Sequence, residues 1–173
     1  IEHEEMTTYR KIELSKADHV SRNDAADILS FYIKNDKNEE VNILVPNQEY
    51  KVGMLVKFNE AVDNALFGFE LENVKGVKVL GINNFLMDKV VKHVDAGEYY
   101  EVNFKFILPK ICRGEYLISP SVAMGNQNSH VVIERIHNFM LVTIDNDGYN
   151  ISILDIDSDI ELIKRSKENI NFL

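Results

Sequence analysis

Hydrophobic residues recur at every second position over much of this chain, the pattern of strands with one face in a core and the other in water. The longest clean run is Tyr50, Val52, Met54, Val56 and Phe58, alternating with Lys51, Gly53, Leu55 and Lys57. A second passes through Tyr100, Val102, Phe104, Phe106 and Leu108, with Tyr99, Glu101, Asn103, Lys105 and Ile107 opposite. Pro109 stops it, because proline has no N–H to give a ladder. Between these runs Phe67, Phe69 and Leu71 alternate with Gly68 and Glu70, a polar turn follows from Glu72 to Gly76, and Val77, Val79 and Gly81 then alternate with Lys78 and Leu80. Two strands joined by a turn is the reading.

Earlier in the chain Leu29, Phe31 and Ile33 oppose Ser30, Tyr32 and Lys34, and Val41, Ile43 and Val45 predict a short strand ended at Pro46. The stretch from Asn84 to Gly97 lacks a clean period and reads as a loop crossing between sheets. After Pro109 the chain turns into Tyr116, Ile118 and Val122 in a manner resembling the tyrosine corner of Greek-key sandwiches. For residues 139–144 two faces stay open, Phe139, Leu141 and Thr143 or Met140, Val142 and Ile144. Asp145-Asn146-Asp147-Gly148 is a hairpin turn, after which Tyr149, Ile151 and Ile153 add a last strand.

Short strands, polar turns and no helix–strand alternation predict an all-β fold, an antiparallel two-sheet β-sandwich of immunoglobulin-like or jelly-roll topology. The boundaries drawn are a linker over 1–23 with a candidate edge strand at Lys11 to Leu14, the sandwich over 24–155, and a tail over 156–173.

At 173 residues the chain can bury a full core. A net charge of −9 argues against nucleic acid and anionic lipid, both of which need a positive field. One cysteine, Cys112, permits no intrachain disulfide and fits a cytosolic setting. The chain opens on Ile1 without methionine, and its first residues lack an apolar signal core, so the expectation is a domain cut from a longer protein.

No phosphate loop, dinucleotide fingerprint or zinc-protease motif is present, and His3, His19, His93, His130 and His137 show no ligand spacing. The expectation is no catalytic residue, no cofactor and no metal. Asp155, Asp157 and Asp159 alternate like the start of a calcium loop, but Ile160 and Ser166 stand where glycine and glutamate are required.

Binding is therefore sought on outward strand faces. Tyr32 and Tyr99 share faces with polar neighbours and are candidate platforms for a sugar ring, and Asn83, Asn103, Arg135 and His137 are candidate hydrogen-bonding partners for its hydroxyls.

Three segments in order also carry a family resemblance: Leu66 to Leu71, Gly76 to Asn84, and Leu108-Pro109 followed by Gly114-Glu115-Tyr116. Together they resemble the C-terminal carbohydrate-binding domain of the ATP-binding subunit of bacterial polysaccharide exporters, the O-antigen type called Wzt, over about residues 24–144. The resemblance implies a sandwich fused to a nucleotide-binding domain N-terminal to Ile1, working with a membrane subunit at the cytoplasmic face of the inner membrane. It implies a polysaccharide partner, the modified terminus of a lipid-linked O-antigen-type glycan, and a homodimer in which a C-terminal strand can be exchanged. The segment from Tyr149 to Leu173 is the candidate for exchange. The competing reading is an immunoglobulin-like protein-interaction or dimerisation module without glycan specificity.

Overall fold

The structure, a computed structural model, describes residues 7–148, 152–154, 159–162 and 164. Its strands are β1 (His19–Arg22), β2 (Ala26–Asn35), β3 (Ile43–Leu44), β4 (Glu49–Phe58), β5 (Val62–Asn73), β6 (Lys78–Asn83), β7 (Val91–Val94), β8 (Tyr99–Ile107), β9 (Gly114–Gly125), β10 (His130–His137) and β11 (Met140–Ile144). A 3-10 turn, Leu14–Lys16, precedes them.

The strands form two sheets, one of eight strands and one of three in the order β2-β4-β8. In the large sheet β9 is the spine. One of its edges pairs with β5 from Ala65↔Met124 to Asn73↔Tyr116. Its other edge pairs first with β11 and then with β10. β5 in turn carries β6 and β7, β10 carries β1, and β11 carries β3. This is the two-sheet all-β sandwich that the alternating pattern predicts. One pair departs from the antiparallel rule, because β3 runs parallel to β11.

The core is what the long runs promised. Tyr50, Val52, Met54, Val56 and Phe58 from β4 meet Phe67, Phe69 and Leu71 from β5, all buried. Phe58 sits edge-on to Phe67 at 6.0 Å, and Phe69 edge-on to Phe104 at 5.4 Å. Each such side chain contributes about 1.5–3 kcal/mol on burial, so these strands dominate the stability. The open choice at residues 139–144 goes to Val142 and Ile144, both fully buried, while Leu141 is exposed.

Several expectations are corrected. A bulge between Ile28 and Ser30 slips the register of β2, so Ile28 and not Leu29 shares the core face with Phe31 and Ile33. At β3 the outward residues are Ile43 and, just after the strand, Val45, and Leu44 is buried, because parallel pairing to β11 aims Leu44 inward. In β6 Leu80 and Ile82 lie opposite Leu71 and Phe69, and Val77 is exposed, since a bulge at Leu71/Glu72 shifts the alternation. The stretch read as a crossing loop contains β7, paired to the start of β5. The first strand is His19–Arg22 and not Lys11 to Leu14, where Ile12 N–H bonds instead to Leu29 C=O at 2.8 Å. Tyr149 and Ile151 lie outside the described residues, whereas Ile153 accepts from Cys112 N–H at 2.9 Å and Leu154 bridges Ile111.

Two buried polar contacts fix the fold, one within a turn and one between the layers. Tyr116, 2% exposed, donates its hydroxyl to Cys112 C=O at 2.8 Å, the geometry of a tyrosine corner. Burial first, and then Cys112, raises the pKa of that hydroxyl, so it stays a donor. Glu134, 0% exposed, stands beside a bulge in β10; its Oε1 pairs with Arg22 of β1 and its Oε2 accepts Ile28 N–H of β2 at 2.5 Å. That carboxylate ties the large sheet to the small one.

Candidate functional site

Strand register assembles the site. On the outer face of the large sheet one row crosses five strands: Asn83 of β6, Gly68 of β5, Ser121 of β9, Arg135 of β10 and Ser21 of β1. With strands about 4.8 Å apart the row spans about 19 Å. Beside it lies Gly81–Glu70–Ser119, and on the other side Leu66–Ala123–Val132. Gly68, Ser121 and Ala123 face outward because strands alternate and their neighbours, Phe67, Phe69 and Val122, fill the core. The result is a groove of about 230 Å³ with a flat small-residue floor, a polar side made by Glu70 and Arg135, an opposite side made by Leu66 and Val132 with His130 beyond them, and Asn83, Leu86 and Gln127 also in its lining. Gly68 is needed for a reason beyond size: a methyl group there would stand 2.6 Å from Ile82 C=O and push β6 away.

The polar side is preorganised. Arg135 pairs with Glu70 at 2.5 Å, and Lys78 holds the other carboxylate oxygen at 2.9 Å. Burial alone would raise the Glu70 carboxyl, but Lys78 and Arg135 outweigh it, and the group titrates below the usual glutamate range. Arg135 Nε–H donates to His137 Nδ1 at 3.3 Å, which leaves the imidazole proton on Nε2 to donate to Ser21 Oγ at 3.2 Å. Burial, then Arg135 and His19, lower the His137 pKa and keep the ring neutral. This tautomer is opposite to that of an activated serine, whose hydroxyl must donate to Nε2, so the Ser21–His137 contact orients a polar surface and does not make a nucleophile.

The predicted residues fall in two places. Asn83, Arg135 and His137 share the outer face of the large sheet. Tyr32, Tyr99 and Asn103 stand on the outer face of the small sheet, across the sandwich. Tyr32 lies flat over Gly53, where an added methyl would meet its ring at 2.2 Å, and the Lys34 ammonium sits 4.7 Å over the ring centroid. Its hydroxyl donates to Asn103 Oδ1 at 3.0 Å and reaches Glu101, which also accepts from Tyr9. At 8% exposure most of the Tyr32 ring is covered by its packing on Gly53. Asn103 spends its amide on Tyr32 and Glu101. Tyr99 is 57% exposed, opposite Lys57.

Asn83 joins the groove but spends its own amide within the protein, donating to Gln127 Oε1 at 2.7 Å and accepting from Leu86 N–H at 2.9 Å. Sequence reasoning missed Glu70, Ser121, Gln127, His130 and Leu86. Glu70 and Ser121 carried a usable signal, since each alternates with core residues; Gln127 and Leu86 lie in turns with no period. Among the described residues no cluster of His, Cys, Asp or Glu is suited to hold a metal ion, and no helix is long and apolar enough to cross a membrane.

A two-sheet sandwich with a shallow polar groove on one outer face places the protein in the class of β-sandwich modules. The chain belongs to the Wzt C-terminal domain family, whose model matches residues 18–154. Its fold is similar to the crystal structure of the C-terminal domain of wzt, at 20% identity and a TM-score of 0.74, covering 84% of this chain and 88% of that one. Weaker likenesses are to a Niemann-Pick type C2 protein from Japanese carpenter ant, at 13% identity over 80% of this chain and 100% of that one with a TM-score of 0.44. Another is to the CARDB domain of the PF1109 protein from Pyrococcus furiosus, at 13% identity over 72% and 93% with a TM-score of 0.40. No curated protein matches the chain.

Proposed function

We propose that this chain is the non-catalytic glycan-binding module of a polysaccharide exporter, reading the modified terminus of a lipid-linked O-antigen-type glycan in the groove of the large sheet. Membership of the Wzt C-terminal domain family supports the partner class. The observation that carries the site is the row Asn83–Gly68–Ser121–Arg135–Ser21, with Arg135 held by Glu70 and His137. A pyranose has a rim of hydroxyls and an apolar C–H face; the polar side of the groove meets the rim and Leu66 and Val132 meet the C–H face. A shallow wet site gains little over water, so affinity comes from several weak contacts and single sugars bind poorly. In the whole exporter the module works as a homodimer beside a nucleotide-binding domain and a membrane subunit at the cytoplasmic face, with residues 149–173 as the segment for exchange.

Calorimetry of the 173-residue chain with the capped surface polysaccharide of its source organism tests the reading. Arg135→Ala is expected to weaken binding at least about tenfold, close to 1.4 kcal/mol, with the urea midpoint nearly unchanged because Glu70 keeps Lys78. No binding by the unaltered chain, or equal binding by the variant, sinks the groove; loss of dimers on deleting the tail together with no glycan binding favours a protein-interaction module.

The titrations set a pH profile. His137 is neutral in the fold and its pKa is lowered by burial, Arg135 and His19, so affinity is expected to be flat from about pH 8 to 6.5 and to fall only below the ordinary histidine range, when the ring gains a charge facing Arg135. Glu70, with a depressed pKa, keeps its ion pairs above about pH 4.3 and loses that stabilisation as pH falls through its own lower value. A midpoint near pH 7.5 for the loss of affinity would contradict the His137 assignment.

A further inference from the structure

Beyond the groove the outer face of the large sheet continues into a second opening, a cavity of about 180 Å³ between β5, the end of β9 and the loop that follows β6. Leu66 lines both openings, and of two neighbours in the loop Leu86 lines the groove and Phe85 the cavity. Neither opening alone reaches the roughly 300–1,000 Å³ of an ordinary ligand site; joined, they do. Asn64, exposed in the cavity lining, precedes Gly68 by four residues, so the cavity carries the face about 13 Å further along β5, more than the width of one pyranose ring.

The cavity lining holds no charged side chain, which suits a neutral sugar. Phe67 and Phe69 line the groove but are buried, whereas Phe85 is 39% exposed and offers an aromatic face. That ring is held in place by its turn. Asn84 C=O accepts Met87 N–H at 3.2 Å and Lys89 N–H at 2.9 Å, Phe85 C=O accepts Asp88 N–H at 3.1 Å, and the Asn84 amide ties the turn to β5 through Phe67 N–H and Ala65 C=O. Two other amides supply the polarity. The Asn64 side chain makes no hydrogen bond among the described residues, so its oxygen and its NH2 are both open to a pair of adjacent hydroxyls. Asn126 Oδ1 accepts Asn128 N–H at 2.9 Å and Ser129 N–H at 3.0 Å, which leaves its NH2 to donate. A glycan leaving the groove over Glu70 would disturb the ion pairs with Arg135 and Lys78, and one leaving over Leu66 meets none.

We propose that this cavity is a second sugar subsite, which takes a neutral residue behind the terminus held at Arg135, with a pyranose C–H face on Phe85 and its hydroxyls on Asn64 and Asn126. The assignment rests on the glycan-binding reading of the groove and adds to it a dependence on chain length: a short fragment fills the groove alone, and a longer one fills both openings.

Calorimetry of the whole chain with two cap-bearing fragments of the source organism's surface polysaccharide, a disaccharide and a hexasaccharide, tests it. The unaltered chain is expected to bind the hexasaccharide at least about tenfold more tightly, because the second contact is made by a ligand already held by the first. Phe85→Ala is expected to weaken the hexasaccharide about five- to tenfold and to leave the disaccharide as it was. Its urea midpoint is expected to stay in place, because the ring is exposed. Phe85→Tyr, which keeps the ring, is expected to keep the gain with length, and Arg135→Ala to weaken both fragments. Equal affinity for the two fragments, equal weakening of both by Phe85→Ala, or a gain with length that survives when Phe85→Ala and Asn64→Ala are combined overturns the second subsite, and disaccharide binding then leaves the groove standing. Failure of both fragments to bind the unaltered chain removes the groove and the subsite together.

Discussion

Glu134→Ala is expected to lower the unfolding free energy by about 2–3 kcal/mol, the cost of leaving a buried backbone N–H unpaired and of losing a charge-assisted contact. Glu134 is fully buried, and its two oxygens serve different layers, Arg22 of β1 and the backbone N–H of Ile28 in β2. Removal leaves the Ile28 N–H unpaired in the core, while the guanidinium of Arg22, 38% exposed, loses its main partner and turns to water. Asp27, 3.9 Å from Arg22, is too distant to replace the carboxylate. Urea unfolding checks the value, and Glu134→Gln is expected to recover about half, because an amide oxygen still accepts Ile28 N–H. A loss under about 1 kcal/mol for the alanine variant would show that the contact is not what joins the sheets.

Asn84→Ala is expected to cost about 2–4 kcal/mol, from backbone groups left unpaired. The side chain is 6% exposed and closes three contacts: Oδ1 accepts Phe67 N–H at 2.8 Å, and Nδ2 donates to Ala65 C=O at 3.1 Å and Lys89 C=O at 2.8 Å. Its own backbone N–H bonds Phe67 C=O at 3.1 Å. Asn84 thus ends β6 and pins the loop bearing Phe85, Leu86 and Met87 to β5, and Leu86 lines the groove. The variant should show faster hydrogen exchange in residues 85–90 and weaker glycan binding, while the β4–β8 amides stay protected. Uniform loss of protection would instead mark Asn84 as part of the global core.

The core was legible because a half-buried strand writes its two faces into the sequence. Tyr50 through Phe58 and Tyr100 through Leu108 could be placed residue by residue. Legibility failed at bulges. One extra residue at Leu29 and another near Val79 reverse the face of everything beyond them, and nothing local in those residues announces the slip. Leu44 failed for another reason: a two-residue strand has no period to read, and its burial follows from parallel pairing with Ile144, 100 residues further on.

The site divides along the same line. That Asn83, Arg135 and Tyr32 leave the hydrophobic pattern is visible in the chain. Which of them meet is not, because sequence alternation separates the two faces of each sheet but does not say which strands are neighbours. Tyr32 looked like an exposed ring because Ser30 and Lys34, which share its face, are polar; Gly53, on the adjacent strand, provides the slot that covers it.

By itself, then, the sequence determined the class of fold, the residues of the longest core strands, the hairpin at Phe67–Gly81 and its family. These are local or periodic properties, set by alternation, turn chemistry and order along one chain. Only the tertiary structure decided that β5, β6, β9, β10 and β1 stand side by side, and hence that Asn83, Gly68, Ser121, Arg135 and Ser21 form one row. Strand order and register are set by pairings between distant segments, and a one-residue slip of β10 against β9 would carry Arg135 from the groove into the core.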